Sequence, residues 1–335
     1  MNLRRTVALL VAIMLLAISA PQPALSYLPQ YTRPPGGGNP AIDHWDFSNF
    51  AVVWNLNPAR NSNIQGGRST ADAIQASFNT WLSAPNAAVQ VTRGADTSAQ
   101  AGFSQDSANN TNVVCFVCTA DFSDEPETLA VTLTTVANGA GGSNGHGGRT
   151  TGTGQILDSD ILFNPNRTFS TDAGSNGVED LQTIATHEIG HFFGLDHSGV
   201  VRAVMFAFAP TQLRTLAYDD VAALSFVYPS SAPQVTTGHI TGTVSFAGGG
   251  GVFGAHVFAE SVTGSHPFAA FNIRKSPISA VTLPDGSYRI TGLPPDGYVV
   301  TAEPLDLPTE NENIESYAPA WGRSSVQTNF TTRWF

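Results

Sequence analysis

The sequence predicts an α+β chain closed by a smaller all-β sandwich domain, and three observations point there. Residues 69–82 and 216–228 carry apolar side chains at helical spacing. Short alternating or apolar runs, bounded by Gly, Pro, Asn and Ser, lie between them. Beyond the Pro/Ser/Thr-rich stretch at 230–238 only strand and turn signals follow. With 335 residues there is room for one sizeable core and a smaller second one. Charged residues make up 12% and hydrophobic ones 41%, with 32 Gly and 21 Pro, a loop-rich but foldable composition.

Residues 1–26 read as a signal peptide: Arg4 and Arg5, an apolar run from Val7 to Ala20, then small residues ending at Ala24-Leu25-Ser26. The apolar run is short for a membrane span, and no later stretch is long enough, so the mature protein is expected outside the cytoplasm and soluble. The formal net charge of -11 argues against nucleic acid as a partner. Residues 27–44, with Pro34-Pro35-Gly36-Gly37-Gly38, read as an extended linker. A first strand is expected at Phe50–Trp54, then a helix over Ser69–Leu82 with Ser69 or Thr70 as cap and Ile74, Phe78, Trp81 and Leu82 on its core face. A strand follows at Val89–Val91. Cys115 and Cys118 are the only cysteines; no second pair completes a structural zinc site, and after export a small-loop disulfide is the plainer reading.

Strands are expected at Thr128–Val136 and Gln155–Phe163, the latter carrying Asp158 and Asp160 on one face. The Gly-rich loop between them holds His146 as an exposed residue, with too few His and Asp partners for a structural zinc. Asp172, Asn176, Glu179 and Asp180 supply enough oxygens for a calcium ion, although loops of this composition are ordinarily just solvated.

The chemistry concentrates in His187-Glu188-Ile189-Gly190-His191-Phe192-Phe193-Gly194-Leu195-Asp196-His197. Two histidines four apart on a helix share one face and can converge on one ion. Gly194 lacks a Cβ and can take the left-handed turn that ends the helix and brings His197 back as a third ligand. Three imidazoles with a fourth position open suit catalytic zinc, and Glu188 adjoins the first ligand as the candidate general base. Met205, eight residues past His197, can lie as an apolar floor beneath the imidazoles. The complete pattern, H-E-x-x-H-x-x-G-x-x-H with its Met-turn, is the metzincin signature, and Gly194-Leu195-Asp196-His197-Ser198 most resembles the matrixins.

That resemblance implies a zinc-dependent endopeptidase acting on proteins or peptides, with a twisted, mixed sheet and long helices over residues 45–229. It also implies that Thr128–Val136 is the edge strand along which substrate lies, and that Phe206–Arg214 walls a side-chain pocket. Residues 27–44 hold no cysteine of the kind that keeps matrixins latent. Ala207 stands where some metzincins have a zinc-binding tyrosine, which favours three-histidine coordination.

A last helix, Leu216–Tyr228, carries Asp219-Asp220 near its start and stops at Pro229. Residues 239–305 alternate as short strands, and Asp285-Gly286-Ser287-Tyr288-Arg289-Ile290 with Gly292-Leu293-Pro294-Pro295-Asp296-Gly297-Tyr298 resembles the carboxypeptidase regulatory-like, transthyretin-like β-sandwich. His239, His256 and His266 there are expected at the surface. The sandwich is a candidate for docking to a surface or another protein, and residues 306–335 form a polar tail. A monomer is expected. The rival functions are a polysaccharide- or protein-binding surface protein with a vestigial metal site, and an exopeptidase, for which no terminus-recognising residue stands out.

Overall fold

The computed structural model describes residues 28–59, 63–118, 122, 126–173, 178–208, 212–314 and 316–335. The segment read as a signal peptide lies outside them. Strands β1 (Tyr31–Thr32) and β2 (Ala41–Ile42) pair antiparallel. Thus the stretch expected to be an extended linker is folded: Leu28 and Tyr31 are buried, Gln30 N–H donates to the Gly194 carbonyl (2.8 Å) and Asp196 N–H to that of Leu28 (2.8 Å). Its Pro/Gly composition hid two apolar anchors.

Strand β3 (Val52–Leu56) points Val52, Trp54 and Leu56 inward, the period-2 pattern of a half-buried strand. After β4 (Ile64–Gln65) comes α1 (Thr70–Leu82), whose cap Ser69 accepts the Asp72 N–H on its Oγ (3.0 Å), as expected. Strand β5 (Val91–Arg93) begins where the sequence placed a strand's end. Strands β6 (Asn112–Cys115), β7 (Ala130–Asn138) and β8 (Thr153–Phe163) complete a five-stranded sheet of order β5-β3-β6-β8-β7. It is parallel except for β7, which runs antiparallel to β8 at the edge. Cys115 and Cys118 are disulfide-bonded at the end of β6. Strands β9 (Phe169–Ser170) and β10 (Glu179–Asp180) join β4 in a small three-stranded sheet that delivers the chain to α2 (Leu181–Phe192).

Helices α1 and α2 pack together. Trp81 Nε1–H donates to the Thr186 carbonyl (2.7 Å), and Phe78 lies stacked on Trp54 and edge-on to Phe192. Together with α3 (Tyr218–Val227) they span 13, 12 and 10 residues, about three turns each rather than the long helices the resemblance implies.

The remaining strands are β11 (Gly238–Thr243), β12 (His256–Ser261), β13 (Ile278–Val281), β14 (Ser287–Leu293) and β15 (Tyr298–Glu303). Short helix α4 (Tyr317–Ala320) and β16 (Arg333–Trp334) follow. Strands β11 and β14 form one antiparallel sheet; β13-β12-β15-β16 form another, also antiparallel. Ile290 and Leu293 of the first share a buried cluster with Val257, Ile278 and Ala280 of the second, and this cluster is continuous with α3.

Two further expectations change. His146 is not a free loop residue: its Nε2 bonds the Leu157 carbonyl (2.6 Å) and its ring stacks on Phe50, because the glycines around it let the loop fold back over β8. His256 is buried at 3% exposure and pairs with Glu303 (3.0 Å), since its strand is central in the four-stranded sheet. No helix among the described residues is long and apolar enough to cross a membrane.

Candidate metal centre

Helix α2 carries His187 and His191 one turn apart with Glu188 next to the first, and Gly190 lets it press against the buried Met205. At its end Gly194 takes φ +79°, and a Cβ there would lie 2.3 Å from the Asp43 carbonyl oxygen, so only glycine fits the reversal. The chain then returns His197 to the helix. Ser198 N–H donates to the Met205 carbonyl (2.7 Å), which seats the Met-bearing turn directly beneath this return.

Each of the three histidines is oriented through its Nδ1. His187 bonds the Val204 carbonyl (2.8 Å), His191 that of Leu195 (2.7 Å) and His197 that of Asn313 (2.6 Å). With Nδ1–H donating outward, every Nε2 is left as a lone pair facing inward. His187 Nε2 and His197 Nε2 stand 3.2 Å apart, and one nitrogen from each of the three histidines lies within 4.8 Å of the others. Two lone pairs so close do not make a hydrogen bond; they suit a shared cation. Zn–N distances of about 2.0–2.1 Å at a tetrahedral angle require nitrogens roughly 3.3–3.4 Å apart, so the donor set fits zinc. Burial, then the neighbouring His197, pushes the His187 pKa down to about 3. Burial, then the neighbouring His197 and His187, holds His191 well below its usual value, so both imidazoles are neutral near pH 7, the form a metal ligand requires. Among the described residues this is the one cluster of three or more His, Cys, Asp or Glu able to hold an ion.

Glu188 is 5% exposed, and burial lifts its pKa to about 7 against the opposing hydrogen bond from Thr132. Thr132 Oγ1–H donates to Glu188 Oε2 at 2.6 Å, leaving Oε1 for chemistry. Thr132 belongs to edge strand β7, and sequence reasoning missed it because strand alternation gives a residue's face but not its partner.

Asp219 and Asp220 were also missed as site residues. At the start of a helix they read as dipole partners, yet both are fully buried. Asp220 accepts N–H groups from Val204 (2.9 Å), Met205 (3.2 Å) and Ala217 (2.7 Å), fixing the turn whose carbonyl holds His187. Asp219 accepts from the Ser198 hydroxyl (2.5 Å). In the 172–180 loop, Asp172 accepts the Gly67 and Arg68 N–H groups, Glu179 meets Arg167, and Asp180 pairs with Arg214. Asn176 lies outside the described residues.

Residues 133–229 match the matrixin family, peptidase family M10. Metalloendoproteinase 1 of Glycine max is 43% identical over 51 residues, 15% of this chain and 17% of that protein. Metalloendoproteinase 2-MMP of Arabidopsis thaliana is 35% identical over 77 residues, 20% of each. The chain therefore spans about a fifth of the length of these curated relatives. From within β7 through α3, the stretch that bears His187, Glu188, His191, His197 and Met205, this chain is similar to the matrixins.

Proposed function

We propose that this chain is a secreted zinc-dependent endopeptidase that hydrolyses internal bonds of proteins or peptides. The observation that carries the reading is the convergence of the His187, His191 and His197 Nε2 lone pairs with Glu188 beside them on the same helix. His187, His191 and His197 would hold the ion. Zinc bound there would polarise a scissile carbonyl and lower the pKa of a water. Glu188, with Oε2 fixed by Thr132, takes a proton from the attacking water at Oε1 and later passes it to the leaving amine. Edge strand β7 offers unpaired backbone groups along which an extended peptide can lie. The matrixin match and the names of the two plant relatives support this chemistry.

Export rests on the N-terminal sequence and is consistent with the Cys115–Cys118 disulfide. The C-terminal sheets are proposed to be the regulatory-like sandwich domain, and the protein to act as a monomer with one zinc. Calcium is left out of the proposal because Asp172, Glu179 and Asp180 already have partners within the chain.

The test is cleavage of an end-blocked, quenched peptide library with and without a zinc chelator, alongside metal content. Chelator-sensitive internal cleavage with one zinc per chain is expected. Glu188→Gln should keep the zinc and lose activity by about 10²- to 10⁴-fold. A fully active Glu188→Gln overturns the mechanism, and absence of zinc moves a binding role for the C-terminal sheets ahead.

A further inference from the structure

We infer that the C-terminal segment around Asn313 and Ser316 is a positioning part of the metal centre, setting the orientation of the third histidine from outside the protease-like region. The inference rests on the zinc reading above. His187 and His191 find their Nδ1 acceptors 17 and 4 residues away, inside the matrixin-like segment. His197 finds its acceptor 116 residues away, at the Asn313 carbonyl (2.6 Å). A second contact holds the same loop. The Ser316 hydroxyl donates to Asp196 Oδ2 (2.7 Å), while Asp196 Oδ1 accepts the backbone N–H of His197 (2.8 Å). The third ligand is thus fixed at ring and backbone by one short stretch of the tail.

That stretch is built to hold its place. The chain leaves the four-stranded sheet after Glu303, reaches the metal loop, and returns to the sheet as β16. Ile314 and Tyr317 are buried. Tyr317 stacks on Phe253 and donates its hydroxyl to the Thr282 carbonyl (2.8 Å), so the segment is anchored to the C-terminal sheets. The single turn that aims the Asn313 carbonyl is closed by its own side chain, Glu310 N–H donating to Asn313 Oδ1 (2.8 Å). The C-terminal region is therefore a component of the site as well as a neighbouring module. Removing an outer partner of a metal-bound histidine ordinarily weakens the metal by about 10- to 100-fold.

The experiment uses the full chain. Zinc affinity is measured by competition with a chromogenic chelator, the visible spectrum is recorded on the cobalt-substituted protein, and melting of the metal-free protein is followed in parallel. Asn313→Ala/Ser316→Ala, which keeps the Asn313 carbonyl but opens the turn that aims it and removes the hydroxyl on Asp196, is expected to lose about 10-fold in zinc affinity, the lower end for a disturbed outer partner, and to shift the cobalt bands. Its metal-free melting temperature should stay close to that of the unsubstituted chain. Ser316→Ala alone should give a smaller loss, and Ser316→Thr, which keeps the hydroxyl, should restore it. Unchanged affinity and spectrum in the double variant overturn the inference while leaving the zinc reading intact. A melting loss in the metal-free double variant that accounts for the whole effect assigns the segment a purely structural role and also overturns it. If the unsubstituted chain binds no zinc, both readings fall together.

Discussion

Gly190 and Gly194 do different work four residues apart. At Gly190 an added Cβ would sit 2.1 Å from Met205 Sδ and 2.9 Å from Trp81 Cζ2, two fully buried side chains. Alanine is the better helix former by about 1 kcal/mol, but overpacking a tight core costs about 1–3 kcal/mol. Gly190→Ala should therefore lower the denaturation midpoint and displace the Met-bearing turn. A stabilised variant, read by urea unfolding, would show that the helix and turn can part without loss. Thr132 carries the second prediction at this scale. Its hydrogen bond favours the ionised form of Glu188, so removing it must raise a pKa that burial has already lifted to about 7. Cleavage by an ionised Glu188 falls as pH drops through the pKa it has beside the bound ion, and losing the Thr132 bond raises that pKa. In Thr132→Val the acid limb of kcat/KM should consequently move to higher pH, by about one pH unit if the bond is worth 1.5 kcal/mol. An acid limb that stays put or moves to lower pH would remove Glu188 from the role of base.

Between elements, the decisive contact is the start of α3 against the Met-bearing turn. Asp220 satisfies three backbone N–H groups there, and an unsatisfied buried group costs about 1–3 kcal/mol. Asp220→Ala should thus cost about 3 kcal/mol or more by denaturant unfolding and weaken zinc, because the Val204 carbonyl that aims His187 sits in that turn. A variant with native stability and metal affinity would refute the coupling. This is also where the limits of sequence reading are clearest. The three histidines, Gly194 and Met205 were legible because their spacing along one helix and one reversal encodes their meeting. The cap of α1 was legible to within one residue, Ser69 or Thr70, because capping is local. Asp219, Asp220, Thr132 and the Asn313 carbonyl were not, since each acts across a long sequence separation on a backbone group or side chain that no local pattern announces. The Pro/Gly-rich stretch before Asp43 misled for a related reason: composition reports the absence of regular structure, whereas Leu28 and Tyr31 are held by what lies opposite them.

At the scale of the whole molecule, the boundary the sequence draws at 230–238 is not matched by a gap in the packing. Helix α3 is buried on one side in the protease-like core and on the other against β13 and β14, within one continuous apolar cluster. Asp219 accepts both the Ser279 N–H (2.7 Å) and its hydroxyl (3.0 Å), and Tyr218 and Leu216 exchange backbone hydrogen bonds with Arg274. The chain's two flanks close the other side: Tyr31 meets Tyr317 edge-on with centroids 5.8 Å apart, next to the loop that carries His197. Independent unfolding of either part would expose this shared apolar surface at about 25 cal/mol per Å², so the two parts should melt together. Calorimetry of the zinc-loaded chain is expected to show one transition. A ligand held at 1,000 times its dissociation constant adds about 4 kcal/mol to the folded state, so chelation should bring that whole transition down in temperature. Two separable transitions, with only one responding to the chelator, would mean that the interface at α3 does not couple the parts and that the C-terminal sheets stand free of the metal site.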